Sequence, residues 1–340
     1  MLNERRRSVL SALVDEYVAS VQPVGSKVLV QRYGLGCSPA TVRSELAALE
    51  ETGYVYQPHV SAGRIPTDSG YRAYVDDVVT PAASGLPGGD AERIRRRYAV
   101  VERELSEVLH ETSAMLSRLT SYVAVVVAPT FRRARIRRVT LVQLAPRRAL
   151  VVVVTDSGQV ADRAIEFDAD VTADELMRVE DYLSQTLDGA VEAVAQSART
   201  RIAAMSGRES VIALRALNEV LDCLAEADAD RVVTGGVPAL LAHPEFSDPA
   251  AVRPLLALLE DGISMLTVIS DVMRTPEVEV RIGHENPSAE LGHTSVVAAR
   301  YGNEDLGGVI GVIGPTRMDY RRAVAAVRTV SDTLSDVLGS

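Results

Sequence analysis

The sequence predicts an α+β protein: a small helical head ahead of a larger body. Three observations carry this. Residues 3–79 read as short amphipathic helices around a Gly/Pro-rich hairpin. Thr80–Asp90 (TPAASGLPGGD) holds almost no side chain suited to a core and marks a linker. Beyond it, β-branched runs appear, stop for roughly 100 residues of helical text, and resume.

In the head, Val9, Leu13 and Tyr17, with Leu10, Val14 and Val18 beside them, form one apolar stripe from about Asn3 to Ser20. Pro23 and Gly25 break it. Ser26 is placed to cap a second helix through Tyr33, with Val28 and Leu29 inward. Gly34 and Gly36 turn the chain. Ser38-Pro39 joins a capping hydroxyl to proline at the first helical position, so a third helix runs to about Thr52 and stops at Gly53. Tyr54-Val55-Tyr56 and the Gly63/Pro66 turn predict a hairpin, and Ser69–Val79 a last helix.

In the body, Asp90–Leu119 places Ile94, Tyr98, Val101, Leu105, Val108, Met115 and Leu119 at mostly helical spacing, as in a connector helix. Val123–Val127, Val139–Leu144 and Leu150–Thr155 read as strands, the last two joined around Ala145-Pro146-Arg147. Val160–Phe167 is a further strand after Asp156-Ser157-Gly158. Helical text runs from Thr172 to about Ala227, then a mixed stretch over Val232–Gly236, then a helical stretch over Pro249–Met273. Strands return at Val278–Ile282, Thr294–Tyr301 and Gly307–Ile313. An amphipathic helix, Asp319–Leu338, closes the chain with Ala323, Val327, Val330, Leu334 and Val337 inward. Either one sheet domain carries an insertion and its halves pair across it, or two small α/β domains follow one another. Periodicity does not choose.

The 340 residues are 47% hydrophobic and 24% charged, the balance of a folded globular chain rather than a disordered one. No apolar run approaches the roughly 20 residues of a membrane span. MLNERRRSVL is not followed by an apolar signal segment. Cys37 and Cys223 make neither a disulfide framework nor a four-ligand zinc site. A cytoplasmic protein is expected. The net charge of −10 argues against nucleic acid only on average. Residues 1–75 hold eight Lys/Arg and seven Asp/Glu, so the head is near +1 and the rest carries the acid excess.

Three helices followed by a hairpin is the order of a winged helix-turn-helix, whose third helix enters the major groove. At 100° per residue, Val42, Leu46 and Leu49 form the core stripe of that helix. Ala40, Ser44 and Ala47 lie opposite, flanked by Thr41 and Arg43. Such a small, polar, singly basic face can approach base edges, and Arg43 can reach a guanine or a phosphate. The hairpin QPHVSAGRIPT (Gln57–Thr67) offers His59, Ser61 and Arg64 to the duplex. Arg5, Arg6 and Arg7 are further backbone contacts or plain surface charges. The DNA-binding candidates are thus Lys27, Ser38, Ala40, Thr41, Arg43, Ser44, His59, Ser61 and Arg64.

PVGSK (Pro23–Lys27), SPATVRSELAALEETGY (Ser38–Tyr54) and QPHVSAGRIPTDSGYRAYVD (Gln57–Asp76) resemble the HrcA family of heat-inducible repressors of chaperone genes. IGHEN (Ile282–Asn286) and GVIGVIGPTRMDY (Gly308–Tyr320) resemble that family's other characteristic stretches, so the likeness spans nearly the whole chain in order. The resemblance implies a winged-helix head, a GAF-like α/β domain and a mostly helical dimerisation domain inserted in it. It implies a homodimer on an inverted-repeat operator, the CIRCE element, with the GroEL chaperonin maintaining the active form. The expected boundaries are 1–80 for the head, 81–120 for linker and connector, 121–194 with 262–340 for the GAF-like domain, and 195–261 for the insert. Ile212, Leu214, Leu217, Val220, Leu221 and Leu224 form either the dimer surface or the insert's own core.

Other chemistry has little support. Gly307–Gly314 (GGVIGVIG) invites a nucleotide-loop reading, but lacks a terminal GK[ST] and the GxGxxG spacing. Its glycines suit a strand packed closely against a neighbour. The five histidines show no metal spacing, and His284-Glu285 reads as a hydrogen-bonded turn. No catalytic residue, metal or cofactor is expected, and a small ligand in the GAF-like part is the remaining alternative regulator. Arg132–Arg138 (RRARIRR) either touches DNA or pairs with the acidic stretch 156–192.

Overall fold

A computed structural model of the chain describes residues 2–78, 89, 105–128, 135–155, 160–187, 191–205, 207–229, 232–270, 278–302 and 307–338. The expected linker and most of the connector helix, with Ile94, Tyr98 and Val101, lie outside the described residues, as do Arg132 and Arg133.

The head contains α1 (Glu4–Ser20), α2 (Ser26–Tyr33), α3 (Pro39–Glu51), β1 (Val55–Tyr56), β2 (Ile65–Pro66) and α4 (Asp68–Val78). Val9, Leu10, Leu13, Val14, Leu29, Val42, Leu46 and Leu49 are buried together, the stripes their spacing predicts. One local expectation shifts by a residue: Gly25 occupies the cap position of α2, while Ser26 is its first residue and is buried.

The body begins with α5 (Leu105–Thr120) and β3 (Val123–Val127). Next come β4 (Ile136–Ala145), β5 (Arg148–Thr155) and β6 (Val160–Glu166), then α6 (Ala173–Thr186), α7 (Val191–Ala203) and α8 (Arg208–Ala229). The chain continues through β7 (Val232–Gly235), α9 (Val237–Leu241), α10 (Pro249–Glu260) and α11 (Gly262–Ser270). It ends with β8 (Glu279–Ile282), β9 (Thr294–Tyr301), β10 (Gly308–Pro315) and α12 (Tyr320–Leu338). The five-stranded antiparallel sheet has the order β7-β3-β10-β9-β8. Its strands alternate between two cores. Ala124 and Val126 face the core containing α5 and α12, and Val123, Val125 and Val127 face the core containing α10 and α11.

The sheet halves do pair across an insertion, but the insertion begins earlier than 195 and ends before 261. The chain leaves the sheet after Val127 and rejoins it at Val232, because β7 pairs with β3. Strands β4, β5 and β6 form their own three-stranded sheet with none of the five. Val139, Val151, Val153, Leu183, Leu217 and Val220 share a separate core. The expected grouping of 121–194 with 262–340 is corrected by this pairing, as is the assignment of 237–261 to the insert. Phe246, Leu255 and Leu259 pack on the five-stranded sheet instead.

Ile212, Leu217, Val220 and Leu224 are consumed in the insert's own core, whereas Leu214 stays exposed. Among the described residues, no hydrophobic core covers the opposite face of the small sheet. Val142 pairs in register with Leu150, and Val154 with Val160. Val142 is 44% and Val160 59% exposed, and Leu150, Val152 and Val154 are half-buried.

The glycine strand is an interior strand. Every residue of β10 is buried between β3 and β9. A Cβ on Gly311 would stand 2.8 Å from the Val297 carbonyl oxygen and 2.9 Å from Ala298 Cβ. Close strand packing therefore explains the glycines of β10.

Candidate nucleic-acid interface

The third helix starts where its sequence says. Ser38 Oγ accepts the Thr41 backbone N–H at 3.1 Å and lies 3.0 Å from Thr41 Oγ1. Pro39 needs no donor at this end. With Val42, Leu46 and Leu49 buried, Ala40, Arg43, Ser44 and Ala47 share the exposed face. No acidic side chain sits in the first turn, so the positive end of the helix dipole is uncompensated. Lys27 is exposed in the first turn of α2. Among the described residues, neither Lys27 nor Arg43 forms an ion pair.

The other head arginines are occupied. Arg6 Nε donates to Glu45 Oε2 at 2.9 Å, Arg5 lies 4.0 Å from the same carboxylate, and Arg7 pairs with Asp77 at 3.5 Å. They brace α1 against α3 and α4. Arg64 is only 19% exposed, and its Nη2 lies 2.8 Å from Glu50 Oε2. That contact ties the hairpin to the C-terminal turn of α3. The sequence offered Arg64 to the duplex; the fold turns it inward, because its backbone is locked into the hairpin base.

That base is a two-stranded sheet extended by one isolated bridge. Val55 pairs with Pro66 and Tyr56 with Ile65. Val24 adds a bridge to Arg64, with N–H to O distances of 2.9 Å in both directions. Gly63 sits so close to the Val24 backbone that a Cβ has no room. Gln57 Nε2 donates to the carbonyls of Val60 at 2.9 Å and Ala62 at 2.8 Å. His59, Val60 and Ser61 are exposed at the tip.

The sequence reading missed the junction between head and body. Asp68 Oδ2 accepts the His284 backbone N–H at 3.2 Å and lies 2.7 Å from its Nδ1. Gly283 adopts φ +50° and leaves no space for a Cβ against the same carboxylate. Arg72 Nε donates to Glu285 Oε1 at 2.8 Å, and its Nη2 contacts Glu285 Oε2 and the Val280 carbonyl. Tyr71 and Tyr74 pack on Tyr320 with ring centroids 5.8 and 6.5 Å apart. Arg317, paired with Glu245, also reaches the Val18 carbonyl at the end of α1. Burial pushes the phenols of Tyr71, Tyr74 and Tyr320 well above the ordinary range, so they stay neutral. The characteristic stretches at 68–76, 282–286 and 315–320 are thus one contact surface. The turn at 283–286 is hydrogen-bonded as expected: Asn286 Nδ2 donates to the carbonyls of Gly283, Leu291 and Thr294.

Elsewhere, Arg137 and Arg138 are exposed on β4. No group of His, Cys, Asp and Glu able to hold a metal occurs among the described residues. No described helix is long and apolar enough to cross a membrane.

Residues 106–324 match the HrcA protein C-terminal domain family. The chain is 42% identical to the heat-inducible transcription repressor HrcA of Pseudarthrobacter chlorophenolicus, over 100% of both chains. It is 40% identical to the HrcA repressor of a Nocardioides species over 99% of each chain. Its fold is that of a hypothetical protein solved by crystallography, with a TM-score of 0.62, 23% identity and 99% coverage of both chains.

Proposed function

The chain belongs to the HrcA family, and on that premise we propose how this heat-inducible transcription repressor, which is not an enzyme, engages its operator. The head is a winged helix-turn-helix that places α3 in the major groove. The observation that carries this reading is the face of α3: Ala40, Arg43, Ser44 and Ala47 exposed together over a fully buried opposite stripe. Arg43 addresses a base edge or a phosphate. Thr41, Ser38 and Lys27 receive phosphates near the helix N-termini, and His59 and Ser61 approach from the wing. Arg64 acts at one remove, by fixing the wing to α3.

The operator is an inverted repeat, the CIRCE element, and the repressor binds it as a homodimer. The GAF-like domain is the five-stranded sheet with α5 and α9–α12. The dimerisation unit is the inserted β4–α8 segment. Its uncovered Val142/Leu150/Val152/Val154/Val160 face supports a second copy as its cover, since β-branched sheet faces pack well on one another. The protein works in the cytoplasm, and the GroEL chaperonin raises its operator-competent fraction.

A gel shift with the full chain on a CIRCE duplex and on a scrambled repeat tests the reading. Preference for the intact repeat is expected; equal affinity for both sinks it. Adding purified GroEL should increase the bound fraction, and no increase at any temperature removes the chaperonin from the scheme.

A further inference from the structure

The wing carries an apolar tip without an available Lys or Arg. Val60 is 99% exposed, between His59 and Ser61. Single exposed apolar side chains are common on protein surfaces and by themselves mean little. This one is held out by design of the loop beneath it. The Val24–Arg64 bridge, the close approach of Gly63 to Val24, and the Arg64–Glu50 pair fix the hairpin base. The two Gln57 hydrogen bonds fix the tip itself, one of them on the Val60 carbonyl. A rigid loop loses little conformational freedom on binding, so its contacts count more fully towards affinity. The basic residue nearest the tip, Arg64, is turned inward, so the wing is poorly equipped to bind phosphates by charge.

We propose that Val60 is a specificity-determining contact that enters the DNA minor groove beside the segment read by α3. It packs against deoxyribose and base edges through shape rather than charge. Apolar side chains are used in minor grooves, where the degenerate hydrogen-bond pattern leaves width and shape to be read. The inference rests on the operator reading above and adds the residue and groove.

The test uses the full-length protein and a CIRCE duplex, with gel shifts across a salt series and hydroxyl-radical footprinting of the minor-groove sugars. Val60→Ser is expected to weaken binding about tenfold, the loss of one small buried aliphatic group. The slope of log affinity against log salt should stay unchanged, because no phosphate contact is removed. Sugar protection flanking each half-site should disappear while the central protection remains. Val60→Ile should keep both affinity and protection. The proposal is overturned if Val60→Ser binds and protects as wild type does. It is also overturned if the salt slope flattens, since the tip would then be holding a charged contact. If the wild-type protein does not distinguish the repeat from a scrambled one, the operator reading fails first, which is a separate result.

Discussion

Arg72→Ala should loosen the head from the body without unfolding either. Arg72 is 31% exposed and Glu285 37%, so their ion pair is partly screened and contributes at most about 1 kcal/mol. The Arg72 hydrogen bond to the Val280 carbonyl is charge-assisted, and its loss costs about 1.5 kcal/mol or more. Together the substitution should shift the docking equilibrium by about 2 kcal/mol. At about 1.4 kcal/mol per tenfold, that is roughly a 30-fold faster exchange where closing outpaces exchange. Hydrogen exchange read by mass spectrometry can localise it. Peptides covering 68–78 and 279–286 should lose protection, while β10 at 308–315, buried inside the sheet, should keep it. A double-mutant cycle with Glu285→Gln isolates the ion pair from the carbonyl contact. If both junction peptides exchange as in the wild type, Arg72 does not hold the head against the body. If β10 loosens equally, the two parts unfold as one unit and the junction is not a separable contact.

Arg43→Ala should weaken operator binding by about 1–3 kcal/mol if its guanidinium reads a base, measured by gel shift on the repeat; a uniform loss on all sequences would mark a phosphate contact instead. Gly311→Ala should lower stability by about 1–3 kcal/mol, visible as a fall in Tm, because its Cβ would crowd Val297 and Ala298 between paired strands; an unchanged Tm would show that β9 can give way. The Glu175 carboxyl is held below its ordinary value, first by the Thr172 backbone N–H and then by the Thr172 hydroxyl. A depressed carboxylate stabilises the folded chain above its unfolded pKa and loses that contribution as pH falls through the lower folded value. The acid side of a stability–pH curve, below about pH 4.5, should therefore flatten in Thr172→Ala, and coincidence of the two curves would count against this capping box.

The head was legible in the sequence because its determinants are local. Ser38-Pro39 and Gly53 bound α3, and the 3.6-residue period alone places Val42, Leu46 and Leu49 inside and Ala40, Ser44 and Ala47 outside. The roles of its arginines were less legible. Arg6 meets Glu45, and Arg64 meets Glu50 only once α1, α3 and the wing are packed together.

In the body, local pattern marked every strand except β7, whose stretch at Val232–Gly236 reads as mixed, and marked the β10 glycines as those of a packed strand. Alternation says that a strand has two faces; it carries no information about which strand lies beside it. Tertiary structure decided that β4, β5 and β6 satisfy one another's backbone, and that β7 returns to β3. It also decided that Arg72 meets Glu285, 213 positions away. Local propensity acts over a few residues, while pairing partners and domain contacts are chosen by burial and hydrogen bonding across the whole chain. The α+β class was therefore readable from one dimension, and the place where the body is interrupted required three.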